Sequence, residues 1–124
     1  MIYLELEILL ELLKIYLPKS RVADMGLLES ALARPRATAF GEDAYVDIFE
    51  KVAAMTISLV KNHCLDDGNK RLGLISLLVV MRANNYEINS DLDSTYEFII
   101  EIAETTNPDL KECAAWIKAN SEKA

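Results

Sequence analysis

The stretch 72–81 constrains the fold more than any other part of this chain. It reads Leu-Gly-Leu-Ile-Ser-Leu-Leu-Val-Val-Met, almost wholly apolar and without polar alternation. It is about half as long as a bilayer-spanning segment, so other parts of the protein have to cover it. A helix apolar on nearly every side needs neighbours on every side. The expectation is that residues 69–84 form the central buried helix of a bundle, entered through Asp66-Asp67-Gly68-Asn69 and left at Asn84-Asn85, both turn chemistry.

The rest of the chain supplies such neighbours. Leu6, Leu9, Leu10, Leu13 and Leu17 lie on one helical stripe that Pro18 ends. The alternation Leu4-Glu5-Leu6-Glu7-Ile8 also admits a short strand there. Asp24 suits the N-cap of a short helix to about Ala33, which Arg34-Pro35 stops. Residues 36–43 contain Gly41 and little periodicity, and read as an exposed loop or small hairpin. A helix over 45–62 buries a wide face that includes Ile48, Phe49, Val52, Met55, Leu59 and Val60, and breaks near His63. Asp91 or Asp93 can cap a helix through Phe98, Ile99, Ile102 and Ala103. A last helix covers about 109–119, with Pro108 near its start and Trp116 and Ile117 turned inward. Four glycines and three prolines in 124 residues suit long helices rather than a many-turned β fold. The expected architecture is all-α: one domain over residues 1–124, a compact bundle of five or six helices with a small flap.

Charge and cysteine usage exclude several function classes. Thirteen Lys and Arg against twenty Asp and Glu give a net charge of -7. That opposes direct, non-specific nucleic-acid binding, which needs an excess of cations, though it leaves room for a local basic nucleotide site. Cys64, Cys113 and the lone His63 are too few for the usual structural zinc sets or a disulfide framework. Glu5, Glu7 and Glu11 interrupt the apolar N-terminus and no basic region precedes it, so it does not read as a signal peptide. The expectation is a cytoplasmic protein with reduced thiols and no membrane partner.

One stretch carries chemistry: His63-Cys64-Leu65-Asp66-Asp67-Gly68-Asn69-Lys70-Arg71. It is a tight loop leading into a helix N-terminus, where free N–H groups and the helix dipole favour an anion. Gly68 lets a phosphate approach the backbone. Lys70 and Arg71 oppose the dipole in a first turn and make sense beside an anion. Asp67 next to a phosphate can hold Mg²⁺, which takes oxygen ligands and usually one or two carboxylates. His63 can act as general base on an attacking hydroxyl.

These residues resemble the signature of Fic/Doc proteins, His-Pro-Phe-x-Asp-Gly-Asn followed by Gly or Lys and then Arg. The Lys variant is typical of the Doc, or death-on-curing, branch. The resemblance extends from about Met25 to Asn120, through Gly26-Leu27-Leu28-Glu29-Ser30-Ala31-Leu32-Ala33-Arg34-Pro35 and the Ala114-Ala115-Trp116-Ile117 stretch. It implies an all-helical transferase that moves part of a nucleotide onto a protein hydroxyl. Most Fic members transfer AMP, whereas the Doc branch is known for phosphorylating a threonine of elongation factor Tu. The resemblance implies His63 as catalytic base and Asp67 as Mg²⁺ ligand. It further implies Gly68, Asn69 and Lys70 as the anion-binding turn for ATP or another nucleoside triphosphate, with Arg71 as a phosphate clamp. It implies that the 36–43 flap aligns the target peptide by strand-like pairing, and that an antitoxin in trans is the partner. Cys64 and Leu65 stand where the family has Pro and Phe, and the smaller Leu predicts a looser loop. Leu72-Gly73 replaces the usual Thr-Ala, and no self-inhibitory helix motif is present: Thr38 and Glu42 have its spacing, but Asp43 follows.

Plainer readings stand beside these. A lone His near a helix end is often a cap, Asp66-Asp67-Gly68-Asn69 can be a turn and nothing more, and Cys64 and Cys113 read as filler. For function, adenylyl transfer and a catalytically decayed binding module remain the alternatives to phosphoryl transfer.

Overall fold

The computed structural model describes residues 1–124. Its helices are α1 (Leu6–Tyr16), α2 (Met25–Ala33), α3 (Ile48–Lys61), α4 (Asn69–Ala83), α5 (Leu92–Glu104) and α6 (Leu110–Ala119). Four of them start the same way. Asp24, Asp47, Asp91 and Asp109 cap α2, α3, α5 and α6, each carboxylate accepting from a backbone N–H of the first turn. Asp47 sets the start of α3 at Ile48, so residues 45–47 lie outside the helix expected to include them. Residue 6 is already helical and no strand precedes it.

The central helix is α3, which corrects the expectation for the apolar stretch 72–81. Residues 51–60 are all buried, including Lys51, Thr56 and Ser58. In α4, Leu74, Ile75, Leu78 and Val79 are only partly buried. Helices α2, α4, α5 and α6 and the 3-10 turn Arg34–Arg36 gather round α3, whereas α4 is covered chiefly by α3, α5 and a short strand, with α1 against it. The polar residues of α3 have partners that make burial tolerable. Thr56 Oγ1 donates to Val52 O at 2.8 Å, Arg34 Nη1 donates to Ser58 Oγ at 2.9 Å, and Lys51 Nζ reaches Tyr3 Oη at 3.2 Å and Asp43 at 3.1 Å.

Small strands complete the fold. β1 (Thr38–Ala39) and β2 (Glu42–Asp43) pair antiparallel, so the flap is a hairpin. β3 (Tyr86–Ile88) pairs antiparallel with β4 (Ser121–Lys123), placing Tyr86 opposite Lys123. The sequence reading allowed a small hairpin over 36–43 but had no strand at 86–88 or 121–123. The N-terminal segment is held by a reciprocal pair: Ile2 N–H donates to Asn84 Oδ1 at 2.6 Å, and Asn84 Nδ2 donates to Ile2 O at 2.8 Å. No helix is long and apolar enough to cross a membrane.

Candidate active site

The site is built where α3 ends and α4 begins. Asn62 closes α3 by donating to Ser58 O at 3.0 Å, and His63 follows in the left-handed region at φ 52°. That geometry ends a helix and turns the chain sharply. It carries Cys64 and Leu65 into the core, where both are buried. Cys64 O accepts from Ala23 N–H at 2.8 Å and Asp24 N–H at 3.2 Å, and Val22 pairs with Leu65 as an isolated bridge. Asp66 N–H donates to Arg21 O at 3.0 Å, while Asp66 Oδ1 accepts from Arg21 N–H and Asp67 N–H, each at 2.8 Å. The loop with Cys64 and Leu65 in place of Pro and Phe is therefore tied along its length to the segment before α2.

Asn69 ties it from the other side. Leu65 N–H donates to Asn69 Oδ1 at 3.0 Å, and Asn69 Nδ2 donates to Leu65 O at 3.1 Å. The Asn69 amide is thus spent on the loop, and what it offers an anion is its backbone N–H. Asn69→Ala leaves both Leu65 groups without these partners. The expected loss is about 1–2 kcal/mol of stability, with exchange of the Leu65 amide accelerated beyond that global loss. Unchanged Leu65 protection by hydrogen exchange would contradict this assignment.

The N-terminus of α4 differs from those of the aspartate-capped helices. Its cap is Gly68 at φ 94°, with no side-chain cap and no acid in the first turn. The first N–H bonded into the helix is that of Leu72, to Gly68 O at 2.9 Å, and those of Asn69, Lys70 and Arg71 have no protein acceptor. These unspent donors, with exposed Lys70 and Arg71 beside them, form a positively polarised turn. A Cβ at residue 68 would stand 2.8 Å from Ser20 Oγ, so this position suits glycine on steric as well as conformational grounds.

A cavity of about 570 Å³ opens at this turn, and His63, Asp67, Gly68, Asn69, Lys70 and Arg71 all line it. Every site residue expected from sequence faces the same space. The rest of the lining comes from Asp66 and from residues that the sequence reading did not assign to the site: Val60 and Lys61 of α3, Tyr96 and Ala103 of α5. Lys61 Nζ donates to Ala103 O at 3.0 Å and Thr105 O at 2.7 Å, fastening the C-terminal end of α5 to that of α3. No local signal announces that role, because it exists only once two distant helices meet.

The two adjacent aspartates divide their work. Asp66 is engaged with backbone donors, whereas Asp67 accepts only from Gly68 N–H at 2.9 Å, through one oxygen. No group of three or more His, Cys, Asp or Glu converges to hold a metal. A single free carboxylate oxygen beside an anion turn fits Mg²⁺ arriving with phosphates, not a metal caged by protein alone. Burial pushes the Cys64 thiol up from its ordinary range and that of Cys113 up to about 11. Both stay protonated near neutrality, and Cys64 does not act as a nucleophile paired with His63.

Comparison with known proteins covers this same region. A family model described as the Fic/DOC family matches residues 3–81, which include the whole loop and the first turn of α4. The protein Toxin Doc of Mycolicibacterium smegmatis is 39% identical over 97 residues, spanning 77% of this chain and 74% of that one.

Proposed function

This chain belongs to the Fic/Doc family, and from that premise we propose that it is a toxin of a toxin–antitoxin pair. It transfers the γ-phosphate of ATP, or another nucleoside triphosphate, to a Ser or Thr hydroxyl of a cytoplasmic translation protein such as elongation factor Tu. The observation that carries this reading is the convergence of His63, Asp67 and the unspent N–H groups of Asn69, Lys70 and Arg71 on one cavity. Residues 1–124 act as one transferase unit, held in check by an antitoxin in trans.

In this mechanism the target hydroxyl oxygen attacks the γ-phosphorus, the bond from that phosphorus to the bridging oxygen breaks, and the nucleoside diphosphate leaves. The hydroxyl proton passes to the imidazole of His63. The backbone N–H groups of Asn69, Lys70 and Arg71 hold phosphate oxygens and are already oriented, so little reorganisation accompanies the reaction. Arg71 clamps the phosphates as a planar multi-donor. Asp67 would hold Mg²⁺, which neutralises phosphate charge. Lys70 supports phosphoryl over adenylyl transfer: its side chain fills volume that a glycine would leave open to a second phosphate, so the nucleotide lies with its terminal phosphorus toward His63.

Incubation of the purified protein with Mg²⁺, a cytosolic extract and ATP labelled at either the α or the γ phosphorus tests this. Label on a protein from γ-ATP alone, lost in His63→Ala, is expected. Label from α-ATP would assign adenylyl transfer instead. No protein label from either would favour a binding module.

A further inference from the structure

Lys61 is the last residue of α3, and it lines the cavity at the turn entering α4. It is a cation without a carboxylate. The ion pairs of the molecule use Lys14, Arg36, Lys51 and Arg82, and Lys61 enters none of them. Lys51, the other lysine of α3, shows the contrast: it is buried and reaches the carboxylate of Asp43 at 3.1 Å. Lys61 is half-buried, and its partners are the carbonyl oxygens of Ala103 and Thr105, at 3.0 Å and 2.7 Å. Carbonyl oxygens at a helix end carry only partial charge, so they fix an ammonium without neutralising it.

Part of this arrangement is a helix cap. α5 has no basic residue in its last turn, and Lys61 supplies the cation that its C-terminal carbonyls favour. That role uses two N–H groups. A lysine ammonium has three, and the third has no protein acceptor.

The surroundings of this spare donor call for an anion. Lys61, Lys70 and Arg71 all line the cavity, and none of them is ion-paired. The carboxylates lining it are Asp66 and Asp67, and Asp66 is already spent on the N–H groups of Arg21 and Asp67. Cations therefore outnumber carboxylates here, in a chain whose net charge is -7. Like charges gathered in one cleft repel unless an anion sits among them. At about 570 Å³ the cavity is of the size that holds a small molecule.

We infer that Lys61 is a further nucleotide-binding residue, its spare N–H donating to a phosphate oxygen. The phosphate chain is then held from two elements, by the turn entering α4 and by the ammonium at the end of α3. The bonds to Ala103 and Thr105 preset that ammonium, so little side-chain freedom is lost on binding. This rests on the transferase reading above and adds to it a residue outside the loop from His63 to Arg71.

The test measures the binding of Mg²⁺–ATP and of inorganic triphosphate, together with Tm, for wild type, Lys61→Arg, Lys61→Gln and Lys61→Met. Glutamine keeps two N–H donors for the carbonyls but no charge, whereas methionine keeps neither. The Kd for both ligands is expected to rise about tenfold or more in Lys61→Gln and Lys61→Met, with a shallower dependence on salt. Lys61→Arg keeps most of the affinity, and Lys61→Gln unfolds near the wild-type temperature. In the wild-type protein, the Lys61 ammonium resonance shifts saturably with triphosphate. Wild-type affinity in Lys61→Gln, or a Lys61 resonance unmoved at saturation, would overturn the inference and leave Lys61 a helix cap. Wild-type protein that binds neither ligand would instead overturn the transferase reading on which it rests.

Discussion

His63→Asn is expected to abolish transfer while leaving the fold as stable as before, or slightly more stable. The imidazole is exposed and neither donates to nor accepts from any other residue, so its removal unpacks nothing. Its backbone, at φ 52°, is a conformation in which asparagine is several-fold enriched. Loss of a general base costs on the order of 10²- to 10⁴-fold in rate. Asn69, Lys70 and Arg71 keep their N–H groups, so nucleotide affinity is expected to change little. The signature is a rate loss without loss of Tm or nucleotide binding. A variant that unfolds below the wild-type temperature would show that His63 serves the helix end, and one that transfers at the wild-type rate would remove it from the chemistry.

Gly73→Ala is expected to destabilise the protein, although alanine is the better helix former by about 1 kcal/mol. A Cβ at residue 73 would stand 2.5 Å from Val60 Cγ2, well inside contact distance, where α4 crosses α3. Valine is stiff about χ1 and Val60 is buried, so it has little room to yield. Overpacking of this kind costs about 1–3 kcal/mol, and set against the gain in helix propensity the net loss is up to about 2 kcal/mol, or up to roughly 8 °C in Tm. Val60 also lines the cavity, so the same close approach sets one wall of the site. Adding Val60→Ala should recover part of the loss caused by Gly73→Ala. Strict additivity of the two changes in denaturant titrations would mean that the steric contact is not its source.

Gly73 also shows what a sequence can and cannot tell. Its cost inside a helix is legible from the residue alone, but its reason lies in a residue of another helix. Elements governed by neighbours in sequence could be read: the aspartate cap at position 24, that at position 91 as one of two candidates, the stripe ending at Pro18, and the turn from His63 to Arg71 that enters α4. The central helix was misplaced because Lys51, Thr56 and Ser58 look like surface residues until partners as distant as Tyr3 and Arg34 are in place. The pairing of β3 with β4 escaped for the same reason, since neither strand is long enough to declare itself without the other. The cavity lining from α3 and α5, Lys61 and Tyr96 included, was illegible because it forms only when α5 docks beside the end of α3.

The central claim is that the turn entering α4 receives the phosphates of a nucleotide. Titrating isotope-labelled protein with Mg²⁺ and ATP while following backbone amide resonances tests it most directly. Saturable shifts concentrated at Asn69, Lys70 and Arg71, weakened when Arg71 is replaced by alanine, are the result this account predicts. Saturation with those amides unmoved, or shifts confined to another face of the molecule, would contradict it.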